Sequence, residues 1–178
     1  MSLKILKMID FFVVFGLCFI THFMYNWFPS TIFSIFFPVN ESIFEHLKML
    51  YSAVMIGGFF DLVILKLFKI KYNNFLINLF LTSFFSVLIF LVIYMPLFYL
   101  LGDSTFINFL VLFVSIGIGQ IISYYILNAK DYEYLNYVGL IGIIFIYIIF
   151  GILTYYPFKN DLFYDFSLEK YGINTYDI

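Results

Sequence analysis

The chemistry available to this chain is concentrated in His22, His46 and a dense polar run, Asn40-Glu41-Ser42-Ile43-Phe44-Glu45-His46-Leu47-Lys48. Imidazole and carboxylate are ligands that zinc accepts. His22, His46, Glu45 and, from the C-terminal tail, Asp165 therefore form a candidate set for a divalent metal such as zinc, with Glu41 as a further carboxylate. Three protein ligands and a water would make a hydrolytic site. The spacing follows no established metal motif, since Glu45 and His46 are adjacent rather than four apart. Without a metal, the candidate catalytic groups are Glu41, Glu45, His46 and Lys48: a partly desolvated carboxylate beside the lysine serves as general base and a histidine as acid. The structural alternative is plainer. Glu45 and Lys48 form an i,i+3 pair whose lysine snorkels outward, Glu41 and Ser42 cap a helix, and the histidines bridge helices. No nucleophile is evident, because Ser42 is better explained as a cap.

These groups must be positioned by apolar helices. Of 178 residues, 64% are hydrophobic and 11% charged, against about 25% charged in ordinary globular domains. That composition excludes a soluble fold of this size and makes the lipid bilayer the principal partner. Nine lysines, no arginine and eleven carboxylates give a net charge of -2. This lacks the basic excess that phosphate backbones demand, so nucleic acid is not expected as a partner. The single cysteine, Cys18, can make neither an internal disulfide nor a thiolate metal cluster.

Crossing the hydrocarbon core takes roughly 20 apolar residues. Runs of that length predict an all-α integral membrane bundle of five transmembrane helices, at about residues 9–28, 42–67, 75–101, 106–127 and 137–156, followed by an aromatic and acidic tail over 157–178. The first run is too long for a signal peptide and reads as a retained anchor. Pro96 is expected to kink the outer end of the third span. Lys4 and Lys7, then Lys66, Lys69 and Lys71, then Lys130 fall on one side of such a bundle, while only Lys159 and Lys170 lie outside the spans on the other. The positive-inside rule then places the N-terminus in the cytoplasm and the tail outside, in the cell membrane. The Pro29–Glu41 segment reads as an outer loop.

Ser42 with Glu45 three residues on fits a capping box opening the second span. At about 100° per residue, Glu41, Glu45, Lys48 and Ser52 share one narrow arc, with Ser42, His46, Met49 and Ala53 on the adjoining flank. The first span brings His22 to the same outer boundary, so an antiparallel pair sets the two histidines at comparable depth. The expected site is a polar Glu/His/Lys pocket at the outer ends of spans one and two, binding a small ligand or metal and lidded by Asp165 and Tyr171. Elsewhere, Asp10 and Asp61 are expected to pair with Lys7 or Lys66. Ser115, Gly119 and Ser123 form a helix-packing stripe, and Gln120 hydrogen-bonds to a neighbouring helix.

His22-Phe23-Met24-Tyr25-Asn26-Trp27, a His-x-x-Tyr-x-Trp pattern, and the Asn-Glu-Ser-x-x-Glu-His-x-Lys pattern of residues 40–48 resemble an uncharacterised family of small multi-pass bacterial membrane proteins, a domain of unknown function. The resemblance covers nearly the whole chain in span order and length. Its tail departs from the family pattern: Phe166 follows Asp165 where proline is usual, and Leu168-Glu169 stands where Thr-Gly is usual, before Tyr171-Gly172. The resemblance implies the architecture and no activity. Three functions stay open: a ligand- or metal-binding protein, a membrane enzyme acting on a lipid-linked or envelope substrate, and a transporter subunit or accessory protein with a structural polar cluster.

Overall fold

The fold was taken from a computed structural model that describes residues 1–173. Residues 174–178 of the expected tail lie outside the described residues. Six helices run in order: α1 (Leu3–Trp27), α2 (Thr31–Phe36), α3 (Ile43–Leu67), α4 (Phe75–Leu101), α5 (Thr105–Asn128) and α6 (Glu133–Tyr155). A minimal antiparallel hairpin, β1 (Tyr164–Asp165) with β2 (Lys170–Tyr171), closes the chain and pairs Tyr164 with Tyr171. The architecture is all-α. Four helices, α3 to α6, are long and apolar enough to cross a membrane. The five expected spans thus reduce to four on that measure: α1 matches them at 25 residues but carries Lys4, Lys7 and Asp10 near its start.

Helix ends follow local chemistry. Ser2, Ser30 and Ser42 each accept a hydrogen bond from the backbone N–H three residues on, capping α1, α2 and α3. At the start of α3 the expected capping box forms only by half. The amide of Ser42 is taken by Asn40 Oδ1 at 2.9 Å, so the Glu45 carboxylate is free to turn elsewhere. The expected outer loop contains α2, a short helix that sequence periodicity did not signal. α4 continues helical through Pro96 and ends at Gly102.

The long helices alternate in direction, so the starts of α1, α4 and α6 share one end of the bundle with the ends of α3 and α5. Asn73 and Asn74 tie that end together: the Asn73 amide donates to the Leu127 carbonyl at 3.0 Å, and the Asn74 side chain donates to the Lys130 carbonyl at 2.9 Å. Here Lys7 lies between Asp61, which it contacts directly, and Asp10 at 3.4 Å, all three buried. Lys66 remains exposed and outside this cluster. The stripe on α5 packs as expected: a Cβ on Gly119 would lie 2.1 Å from Ser86 Oγ of α4. Gln120 departs from expectation, because its buried Oε1 has no hydrogen-bond partner among the described residues.

Outward faces are apolar. On α6, Ile141, Phe145, Ile148 and Ile152 form an exposed stripe at helical spacing, and water would not tolerate such a surface. At the opposite end from the lysines, the tail folds back onto the helices. Phe163 buries against Phe44 with ring centroids 4.6 Å apart, and the Phe44 amide donates to the Leu162 carbonyl at 2.8 Å. Gly172 completes the docking at φ +58°, where a Cβ would sit 2.6 Å from the Thr154 carbonyl oxygen. Gly172→Ala should therefore destabilise the fold by at least the left-handed backbone strain of about 1–2 kcal/mol. Thermal unfolding in mild detergent checks this, and an unchanged melting temperature would contradict the docking.

Candidate functional site

The polar residues at the tail end separate into a closed group and an open one. Glu45 and Lys48 form the closed group, with 1% and 0% of their side chains exposed. The Lys48 ammonium contacts Glu45 and donates to the Ser34 carbonyl of α2 at 2.7 Å and to Thr154 Oγ1 of α6 at 2.8 Å. Glu45 in turn accepts from Thr154 Oγ1 at 3.1 Å and from the Val39 amide at 3.0 Å. Next to it, Ser52 Oγ donates to the Phe36 carbonyl at 2.5 Å. The arc of Glu45, Lys48 and Ser52 therefore faces α2 and α6. Lys48 does not snorkel outward as expected, because its three donors all find acceptors inside the bundle.

Glu41 parts from that arc because α3 begins only at Ile43, so helical phase does not extend to it. Its side chain, half exposed, reaches both histidines: Oε1 lies 3.4 Å from His22 Nε2 and Oε2 lies 3.5 Å from His46 Nε2. The two imidazoles stack with centroids 5.4 Å apart. His46 Nδ1 is 3.0 Å from the Ser42 carbonyl, which can only accept, so Nδ1 carries the proton. In the neutral ring Nε2 is then a lone pair aimed at a carboxylate. Two acceptors facing each other require a cation between them, either a proton or a metal ion.

The ligand atoms of His22, Glu41 and His46 lie within 4.8 Å of one another, a group that could hold a metal ion. Atoms bonded to zinc at about 2.0–2.2 Å in tetrahedral array are themselves about 3.4 Å apart; Glu41 stands at about that spacing from each histidine, through Oε1 to His22 and through Oε2 to His46. Of the four candidate metal ligands named from sequence, the structure brings His22 and His46 together with Glu41. Glu45 and Asp165 are not part of that group, although Asp165 lines the same cavity. Every oxygen of Glu45 is engaged in the closed group. Asp165 Oδ1 accepts from Ser167 N, Ser167 Oγ and Leu168 N at 2.7–2.9 Å, while Oδ2 accepts from the Glu41 amide at 2.8 Å. Asp165 is thus a positioning residue that holds the backbone of Glu41. Tyr171, expected as a lid, instead packs on Tyr164 with ring centroids 4.8 Å apart.

His22, Glu41 and His46 line a cavity of about 350 Å³ between α1, α3, α4 and α5, roofed by residues 164–167 of the tail. Its far rim holds Tyr94 and Asn108, which sequence reasoning missed. Both donate to Asp103 Oδ1, at 2.9 and 3.1 Å. The only sequence signal for them was their position beside the Gly102–Ser104 turn. Thr154, the hub of the closed group, was missed as well, and its signal was a lone threonine in the last turn of an otherwise apolar helix.

Apolar helices surrounding a sealed ion pair, with an acceptor-rich His–Glu–His group beside it, define a helical protein of the membrane type. The chain belongs to a family of unknown function (DUF6512), whose profile matches residues 2–173. No curated protein and no solved structure matches it.

Two tests follow from this geometry. Glu45→Gln strands a buried ammonium and should cost about 3–5 kcal/mol, whereas Glu45→Gln combined with Lys48→Met removes both charges and should cost less. Melting of the single and double variants in detergent decides, and a double variant as unstable as the single one would contradict a sealed pair. For Asp165, burial disfavours the carboxylate, but the four donors from Glu41, Ser167 and Leu168 outweigh it and hold its pKa below the usual range. A carboxyl depressed on folding stabilises above its unfolded value of about 3.9 and loses that contribution as pH falls through the lower folded value. Amide hydrogen exchange in the tail, corrected for intrinsic exchange, should therefore lose protection as pH falls below about 4, and Asp165→Asn should abolish this pH dependence.

Proposed function

We propose that this protein crosses the cell membrane five times and binds a divalent metal ion, zinc by the chemistry of its ligands, on His22, Glu41 and His46 at the outer face. The single observation that carries the metal is the confrontation of His46 Nε2 with the Glu41 carboxylate, two acceptors that a cation must reconcile. The crossing by α1 is supported by its antiparallel packing on α3, which sets His22 beside His46. Orientation is supported by Lys4, Lys7, Lys66, Lys69, Lys71 and Lys130 at one end of the bundle, which the positive-inside rule assigns to the cytoplasm. The cavity and the tail then face outward.

Three protein ligands leave a fourth coordination position, and the cavity lies beside it. When bound there, zinc supplies Lewis acidity and lowers the pKa of a water. His46 is oriented for this by its Ser42 contact, and Glu41 by Asp165 through its backbone. This favours a second reading: a membrane hydrolase or transferase acting on a lipid-linked or envelope substrate. A transporter subunit or accessory role finds less support, since α4 and α5 carry no charged residue between their ends.

Elemental mass spectrometry of the purified full chain in mild detergent tests the proposal. About one zinc or other transition metal per chain is expected, lost in His22→Ala and in His46→Ala and retained in Asn108→Ala. Wild-type protein that is folded, metal-free and unable to take up added zinc would overturn it.

A further inference from the structure

The cavity has a polarity gradient that runs along the bundle. Its rim carries His22, Glu41 and His46 at the ends of the helices. Its floor, one turn deeper, is made by Cys18, Met49, Phe90 and Leu112, all buried. The side wall is the informative part. Phe19 of α1 and Phe109 of α5 both line the cavity, meet with ring centroids 5.6 Å apart, and keep 44% and 43% of their surface exposed. This aromatic pair forms the wall of the cavity where α1 meets α5.

We propose that the cavity is the binding site of a single-chain amphiphile drawn from the outer leaflet, with an oxygen-anion head at the His22–Glu41–His46 rim and its hydrocarbon chain on Cys18, Met49 and Leu112. This rests on the reading of the rim as a metal site and adds what enters beside the metal. Two neutral imidazoles and one carboxylate leave a divalent ion with net positive charge, which selects a carboxylate or phosphate head. The volume favours one chain over two, since about 350 Å³ lies at the small end of ligand pockets, which span roughly 300–1,000 Å³. The direction of the chain from rim to floor parallels that of neighbouring lipid tails, so entry between Phe19 and Phe109 needs no inversion of the amphiphile. Fatty acids and monoacyl phosphates share this chemistry.

The test is photolabelling of the full chain in phosphatidylcholine nanodiscs with a palmitate whose diazirine sits within about four carbons of the carboxyl, one helical turn of about 5.4 Å from the rim, mapped by peptide mass spectrometry. Labels are expected on the segments holding Cys18, Met49 and Leu112. A tenfold excess of unlabelled competitor should lower them about tenfold by mass action, while labels on the outward stripe Ile141, Phe145 and Ile148 stay unchanged. Competition by palmitate identifies a carboxylate head, and competition by lysophosphatidic acid alone identifies a phosphate head. Leu112→Phe, which fills the floor, should reduce the cavity labels selectively while the metal, held at the rim by other residues, is retained in the folded protein. Labelling spread evenly over the cavity segments and the α6 stripe, and indifferent to competitor, would overturn the proposal. Metal content is measured on the same sample. Saturable cavity labelling on metal-free protein would overturn the metal reading alone, and metal-bearing protein without saturable labelling would overturn the amphiphile alone.

Discussion

An ammonium with no exposed surface is the constraint around which the tail end of this protein is arranged. Lys48 has three donors and no acceptor, and an unpaired buried charge is among the costliest defects a fold can carry. Its three partners come from three elements: the Glu45 carboxylate of α3, the Thr154 hydroxyl of α6 and the Ser34 carbonyl of α2. The last of these explains α2. Any helix leaves its final four carbonyls without intrahelical donors, so a six-residue helix consists largely of free acceptors. Ser34 and Phe36 present theirs to Lys48 and Ser52. A loop of the same length could bridge α1 and α3, but it would not hold two carbonyls in fixed register over the polar face of α3.

The neighbouring group obeys the opposite rule. In the closed network donors and acceptors balance, and Thr154 serves as both. Around Glu41 they do not balance, because two carboxylate oxygens face one imidazole whose proton is committed to Ser42 and a second imidazole on α1. Residues a few positions apart on one segment thus differ in what they can do. Glu45 is spent on structure, whereas Glu41 keeps its oxygens available and has only its backbone fixed, by Asp165. The difference arises from the helix start. By placing the cap at Ser42, the sequence keeps Glu41 out of α3 and lets it turn toward α1, while Glu45 is committed to the side that faces α6.

Long apolar runs made the helices legible, because their period and length are set by the bilayer alone: the expected spans at 42–67 and 75–101 match α3 and α4 almost to the residue. The adjoining flanks of α3 were legible for the same reason, with His46 and Met49 on one side and Lys48 and Ser52 on the other. What each flank meets was not legible, since it depends on contacts more than a hundred residues apart, such as Glu45 with Thr154. The expected snorkelling of Lys48 failed on this point. Snorkelling is the solution for a lysine with no internal acceptors, and the sequence gives no sign that α2 will supply one. Sequence offered Glu41, Glu45 and Asp165 together as carboxylates for a metal and could not separate them, because helical phase put Glu41 and Glu45 on one arc, whereas α3 begins only at Ile43.

Ionisable groups within apolar helices are expensive wherever they stand, and the bundle places almost all of its own on α1 and α3. α4, α5 and α6 contribute a single charged residue, Glu133, at the lysine-rich end. They form an apolar shell that supplies hydroxyls and amides, from Thr154, Tyr94 and Asn108, where the charged helices or their turns need partners. Such a division suits a bundle that seals one ion pair and leaves a second group open. Sealing Lys48 requires a neutral helix with one well-placed hydroxyl. Leaving Glu41 and the histidines open requires that no lysine reach them. Lys159 and Lys170, the other lysines at this end, are not among the residues lining the cavity. Among the described residues that line the cavity there is no lysine, so a proton or an ion that the protein binds is the partner that suits the acceptor excess at the rim.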